Sequence, residues 1–130
     1  MAIDPKKWTL KTQEAFSAAI DQAKELSNPE LTPDHVLGAL MRQDDTIVPA
    51  VLAKLGQAPL MVRNRVDEAI QKLPKAYGGA EPRMSKELTD VVENAERYRK
   101  DLRDDFVSVE HLLLAMNARL DVGSEELLQV

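Results

Sequence analysis

Thr32-Pro33-Asp34-His35-Val36-Leu37-Gly38-Ala39-Leu40 and Ser108-Val109-Glu110-His111-Leu112-Leu113-Leu114-Ala115-Met116 are two versions of one pattern: a hydroxyl residue, an acid two places on, a histidine after it, then an apolar run. From His35 to His111 the offset is 76 residues, and it holds without a gap far outside this pair. Thr9 matches Ser85, Ala19 matches Ala95, Lys24 matches Lys100, Leu26 matches Leu102 and Leu52 matches Leu128. Chance similarity does not stay in register over that span, so the chain reads as an internal duplication.

Capping chemistry and apolar spacing make each copy helical. Thr9 is placed to cap a first helix in which Ala15, Phe16, Ala19, Ile20, Ala23 and Leu26 recur at three and four. Asn28-Pro29 breaks that pattern, and Thr32 caps a second helix with Pro33 at the first helical position, where its missing N–H is no loss. This helix is expected to run to about Gln43. A shorter one covers roughly Ile47 to Leu55, stopped by Gly56, and Pro59 opens a fourth whose buried stripe is Val62, Val66, Ala69, Ile70 and Leu73.

Residues 74–84 contain Pro74, Gly78, Gly79 and Pro82, so helix and strand are both disfavoured and the stretch reads as a linker. Ser85 then caps a helix carrying Leu88, Val91, Val92, Ala95 and Leu102, Ser108 caps the next, and Ser124 caps a last short one through Leu127 and Leu128. The expected organisation is one domain over 1–130, with repeat one at about 9–73 and repeat two at about 85–130. The second copy stops before its counterpart of the Pro59 to Leu73 helix, which reads as a piece of a longer chain. Two such copies can bury their stripes against each other about a pseudo-two-fold axis, so the expected fold class is all-α, with two related helical repeats packed into one compact bundle.

The composition limits the function. At 130 residues with 44% apolar content there is enough for one core. The net charge of −5, with 30% charged residues, disfavours phosphate backbones. A helical DNA-binding protein, the alternative that capped helix pairs suggest, lacks a basic recognition face here. Without cysteine there is no disulfide, thiol nucleophile or thiolate metal site. The first residues form no signal-like apolar stretch and no run reaches the roughly 18 apolar residues of a membrane span, so a cytoplasmic protein with no membrane partner is expected.

The doubled Thr-Pro-Asp-His-Val-Leu and Ser-Val-Glu-His-Leu-Leu, with the Lys72-Leu73-Pro74 exit between them, resembles the Clp N-terminal repeat over nearly the whole chain. Within that family the Leu-Pro junction and Gly-containing linker look like the ClpB disaggregases. The ClpC-type unfoldases carry Gly-Thr-Glu-His at the cap, where this chain has Ser108-Val109-Glu110-His111, and that departure disfavours a phosphoarginine-binding role. An adaptor-docking domain of a ClpC or ClpA type remains the alternative within the family.

The resemblance implies a mobile substrate-docking module joined to ATPase modules of a hexameric ring that works with DnaK-type chaperones on unfolded or aggregated polypeptide. It implies no chemistry and no cofactor in this domain. The chain has no G-x-x-x-x-G-K-[ST] phosphate loop, and ATP is expected only in downstream modules. It also implies an apolar groove between the copies, bordered by Thr9, Asp104 and Glu110. Tyr98, Phe106 and His111, near those acids in sequence, are candidates for adjoining surface.

Each of these residues has a plainer reading beside it. Both histidines sit at the third position of a capped helix and suit a structural role, since a zinc site wants three or four ligands. Asp34 and Glu110 lie in first turns, where a carboxylate favours the helix dipole by about 0.3–1 kcal/mol. Thr9 is a cap before it is a contact, and Trp8 beside it suits the end of the core. The mixed charges from Arg97 to Asp105 read as a solvated face and loop. No Ser-His-Asp arrangement stands out by local spacing, so a catalytic role is not expected.

Overall fold

The computed structural model describes residues 5–43 and 47–116. After a short 3-10 turn at Pro5–Lys7 come α1 (Leu10–Glu25), β1 (Glu30–Leu31), α2 (Pro33–Arg42), α3 (Val48–Lys54), α4 (Pro59–Gln71), β2 (Arg83–Met84), α5 (Lys86–Asp101) and α6 (Val109–Ala115). The fold is helical, as the apolar periods predict, with boundaries within two residues of the expected ones. The expected cap at Ser124 and helix through Leu127 and Leu128 lie outside the described residues.

Within each copy two helices pack as a pair, α1 on α2 and α5 on α6, and α4 closes over α2. Helix α2 sits at the centre and is buried from Pro33 to Met41. A helix apolar on every side belongs in an interior, and each fully buried leucine there, such as Leu37 or Leu40, contributes about 1.5–3 kcal/mol. A Cβ on Gly38 would stand 3.3 Å from Arg42 Nη1 and in ordinary contact with α4, 3.5 Å from Val66 Cγ1 and 3.8 Å from Ile70 Cδ1, so a larger side chain would press on α4. Its counterpart in the second copy is Leu114.

The duplication extends to single hydrogen bonds. Helix α1 ends when Ser27 turns to φ 58°, with Asn28 N–H on Ala23 O at 2.9 Å and Ser27 N–H on Lys24 O at 3.1 Å. Helix α5 ends when Arg103 turns to φ 58°, with Asp104 N–H on Arg99 O at 3.0 Å and Arg103 N–H on Lys100 O at 3.1 Å. Each is the two-bond C-terminal motif usually built on glycine. The stop expected at Asn28-Pro29 thus falls one residue earlier, on a residue whose side chain makes the left-handed turn unfavourable.

The linker expectation needs one correction. Arg83 and Met84 pair in parallel with Glu30 and Leu31, through Arg83 N–H to Pro29 O at 3.0 Å, and Ser85 N–H extends the pairing to Leu31 O at 2.9 Å. A sequence rich in Pro and Gly gives no strand signal, but a two-residue ladder needs only two free edges. The offset finds its twin at the other end, where Trp8 bridges Val107 in parallel, Val107 N–H donates to Lys7 O at 2.7 Å and Thr9 N–H to Val107 O at 2.9 Å. Each copy's first helix is therefore tied at its N-terminus to the other copy's cap loop.

Candidate functional site

The Trp8–Val107 junction brings Thr9 of the first copy against the loop before α6 of the second. Thr9 caps α1: its Oγ1 accepts from Thr12 N–H at 3.3 Å and lies 2.9 Å from Thr12 Oγ1. Thr12 Oγ1 spends its own proton on Val107 O at 3.1 Å, so the Thr9 hydroxyl is the donor of the pair. One lone pair of Thr9 is left for anything outside. Trp8 packs on Phe16 with ring centroids 4.6 Å apart, covering the end of the core as its position predicts.

The histidine of each cap orders its loop. In the second copy Ser108 N–H donates to His111 Nδ1 at 2.8 Å, which makes Nδ1 the unprotonated nitrogen. Nε2–H then donates to Asp104 Oδ2 at 2.7 Å. In the first copy Thr32 N–H donates to His35 Nδ1 at 3.0 Å and His35 Nε2–H to Asn28 Oδ1 at 3.0 Å. Each histidine thus replaces the Glu or Gln of an ordinary capping box and adds a tether to the preceding loop. Burial, followed by the field of Arg42, pushes His35 down to about 4.

Ser108, His111 and Asp104 form a Ser-His-Asp chain that local spacing did not reveal, with Ser108 Oγ 3.0 Å from His111 Nδ1. It is not built as a nucleophile. The imidazole nitrogen that would take the serine proton already accepts the Ser108 backbone N–H, and the same arrangement recurs as Thr32, His35 and Asn28 with an amide in the acid's place. Both histidines have the structural role expected of them.

The six candidates divide. Asp104, in the loop after α5, has a side chain 52% exposed. Phe106, one residue before the bridge, is 51% exposed, and Glu110 is exposed on the first turn of α6. Leu10 at 69% adds apolar surface that the sequence did not single out, and Leu102, expected on the apolar stripe with Leu88, Val91, Val92 and Ala95, is corrected: at the end of α5 it is 46% exposed. His111 is corrected: its ring is buried and its nitrogens are occupied, so it offers no adjoining surface. Tyr98 stands on α5 beside Asn94, Arg97, Asp101, Leu114 and Ala115, which line a cavity of about 340 Å³. None of the other five candidates lines that cavity.

The Trp8–Val107 junction itself is filled, because Thr12 and Val107 are buried in it, and exposed apolar side chains stand on its flanks. Sequence reading missed Thr12, a polar residue on the apolar stripe whose counterpart is Leu88. It missed Arg99 as well. This side chain pairs with Glu96, with Nε 2.9 Å from Oε2, and donates from Nη1 to Asp104 O at 2.9 Å, bracing the loop. The Arg99 hydrogen bond holds the Glu96 carboxyl below its ordinary range. Among the described residues no three His, Asp or Glu side chains gather as a metal site, and no helix is long and apolar enough to cross a membrane.

The first copy's end of the pseudo-two-fold is covered by the chain itself, and the counterpart of the covering segment would fall past residue 130. Asn28 and Asp34, the counterparts of Asp104 and Glu110, are 4% and 8% exposed. Residues 74–83 run over that end: Asn28 Nδ2 donates to Pro74 O at 3.1 Å, Ala76 N–H to Ser27 O at 2.8 Å and Lys75 Nζ to Leu26 O at 3.0 Å.

Known proteins share this architecture. The chaperone protein ClpB of Corynebacterium diphtheriae is 38% identical over 110 residues, 83% of this chain and 13% of the relative. That of Bacteroides thetaiotaomicron is 36% identical over 109 residues, 84% of this chain and 12% of the relative. The chain thus spans about an eighth of the length of these relatives. Among solved structures, the Hsp104 N-terminal domain from Candida albicans matches with a TM-score of 0.79 at 18% identity, over 93% of this chain and 86% of that one. A complex of the ClpV N-domain with a VipB peptide matches at 0.74 and 21%, over 93% and 76%. The family model for the Clp repeat (R) N-terminal domain matches residues 7–130, and the chain belongs to that family.

Proposed function

We propose that this domain docks unfolded or aggregated polypeptide for a ClpB-type disaggregase, and that it does so around the Trp8–Val107 junction. The observation that carries the reading is the surface there, on which Leu10, Leu102 and Phe106 stand exposed beside Asp104 and Glu110. Exposed apolar side chains bind the apolar side chains of unfolded chains with little sequence preference, and neighbouring carboxylates attract Lys and Arg or accept backbone N–H groups. Thr9 holds this surface in place as the cap of α1, and Tyr98 lies one turn before Leu102 on α5. The protein carrying the domain is, on this reading, a hexameric ATPase acting with DnaK-type chaperones, and its nucleotide is bound outside this domain.

Titration with a reduced, carboxymethylated model polypeptide tests the assignment. Saturable binding is expected, weakened by Phe106→Ala and by Asp104→Ala with Glu110→Ala. Absence of saturable binding, or binding indifferent to all three changes, refutes it. A second reading, capture of a dedicated partner segment, draws support from the fold shared with the ClpV N-domain that was solved with a VipB peptide. In that case one partner segment binds and unrelated unfolded chains do not.

A further inference from the structure

Helices α1 and α5 end on the same left-handed turn, but the chain holds the two turns by different means. Arg103, like Ser27, adopts φ 58°, a conformation that a side chain makes unfavourable and that glycine takes freely. In the first copy the residue after the turn, Asn28, is secured from outside by Pro74 O. In the second copy Asp104 is secured from within, by Arg99. The Arg99 backbone carbonyl accepts the Asp104 N–H at 3.0 Å, and Arg99 Nη1 donates to Asp104 O at 2.9 Å. One residue thus grips both backbone polar groups of Asp104.

Glu96 seats that grip. Nε and Nη2 of the Arg99 guanidinium face the two Glu96 oxygens as a fork, in side chains only 12% and 20% exposed, which leaves Nη1 for the loop. The brace belongs to the second copy alone. By the 76-residue offset the counterparts of Glu96 and Arg99 are Ile20 and Ala23, whose side chains carry no polar group.

We propose that Arg99, seated by Glu96, is a positioning residue for the Asp104 carboxylate: it holds the turn so that this acid meets a basic side chain of a docked polypeptide from one fixed direction. The proposal rests on the polypeptide-docking reading above and adds how its acid is aimed. With its backbone on Arg99 and its Oδ2 accepting from His111 Nε2–H at 2.7 Å, Asp104 has one carboxylate orientation, and little rotamer freedom is lost when a cation arrives. If Arg99 lets go, Arg103 relaxes toward a right-handed conformation, the Asp104 backbone swings, and the carboxylate leaves His111.

Charge and position predict opposite outcomes for Arg99→Ala. Removing a guanidinium beside Asp104 makes the loop more acidic, so by charge alone a basic ligand binds more tightly. By position it binds less tightly.

The experiment titrates the isotopically labelled chain at pH 7.5 with the basic peptide acetyl-Ala-Phe-Arg-Ala-Lys-Phe-amide and follows the His111 ring Nε2–H resonance. Arg99→Ala is expected to fold, since the first copy carries alanine at that place. It should weaken the peptide about two- to fivefold, the scale of one exposed ion pair, and move the His111 signal toward that of an unbonded imidazole. His35, whose Nε2–H stays on Asn28, is the internal reference. Arg99→Lys keeps the charge but lacks the fork and should weaken the peptide to the same extent. Adding Arg103→Gly to Arg99→Ala should restore both affinity and signal, because glycine holds the left-handed turn without a brace.

Unchanged or tighter binding by Arg99→Ala, an unmoved His111 signal, or no rescue by Arg103→Gly overturns the inference and leaves the docking reading intact. So does a peptide that fails to bind the unaltered chain while the unfolded model polypeptide still binds. If the His111 signal responds as expected but neither ligand binds, the docking reading has failed and the brace is structural only.

Discussion

Acidifying the solution should weaken the fold through His35 before most carboxylates titrate. Its ring is fully buried, its Nδ1 accepts the Thr32 N–H, and its folded value of about 4 lies below the ordinary 6.5. The unfolded chain therefore binds a proton that the folded one refuses. The stabilisation is complete above pH 6.5 and is lost as pH falls toward 4. The linkage relation puts the loss at about 2 kcal/mol by pH 5, and at about 3.4 kcal/mol once protonation is complete. Urea unfolding at pH 7.5 and pH 5.0 measures it, with His35→Gln as the control. Glutamine still accepts the Thr32 N–H from the third helical position but carries no titrating proton. His35→Gln should be about 1–2 kcal/mol less stable at pH 7.5, having lost the bond to Asn28, and should lack the 2 kcal/mol acid loss. His111 is present in both proteins and cancels in the comparison. An equal acid loss in both would refute the reasoning.

Thr12→Val removes the hydroxyl that joins α1 to Val107 O, but Thr9 N–H stays on that carbonyl, so a loss of only about 1 kcal/mol is expected by urea unfolding. A loss above about 3 kcal/mol would mean that Val107 O depends on the side chain alone. Gly38→Leu, which copies Leu114 into the first copy, drives a side chain into Val66 and Ile70 and should cost about 1–3 kcal/mol as α4 lifts from α2. Unchanged thermal stability would show that α4 is not seated on that glycine.

The helices were legible because their signals are local. A threonine or serine before an apolar run, a proline in the first turn and a glycine after the last one each act within a few residues, and all but the final cap at Ser124 fall among the described residues. The duplication was legible because one offset relates the whole chain. The arrangement of the site was not, because its contacts cross from one copy to the other. Nothing near Thr12 announces that its hydroxyl reaches Val107, 95 residues away. Nor does a run of alternating charges announce that Arg99 braces a loop backbone while its neighbours face water. His111 was drawn toward the surface by its acidic neighbours in sequence, whereas a histidine at the third position of a cap points back into the turn it closes. Residues 74–84 read as a plain connection because their composition disfavours regular structure, and composition says nothing about which carbonyls such a segment will cover.

The crosswise lacing at Trp8–Val107 and Leu31–Met84 has a consequence for how the domain would come apart. Pro74–Ala76 is fastened to the first half and Arg83–Ser85 is laced to it as well, so a protease that severs Gly78 from Gly79 would cut slack rope between two knots. The nicked pieces should travel together through a sizing column as a heterodimer and melt as a single unit, each completing the other's edge.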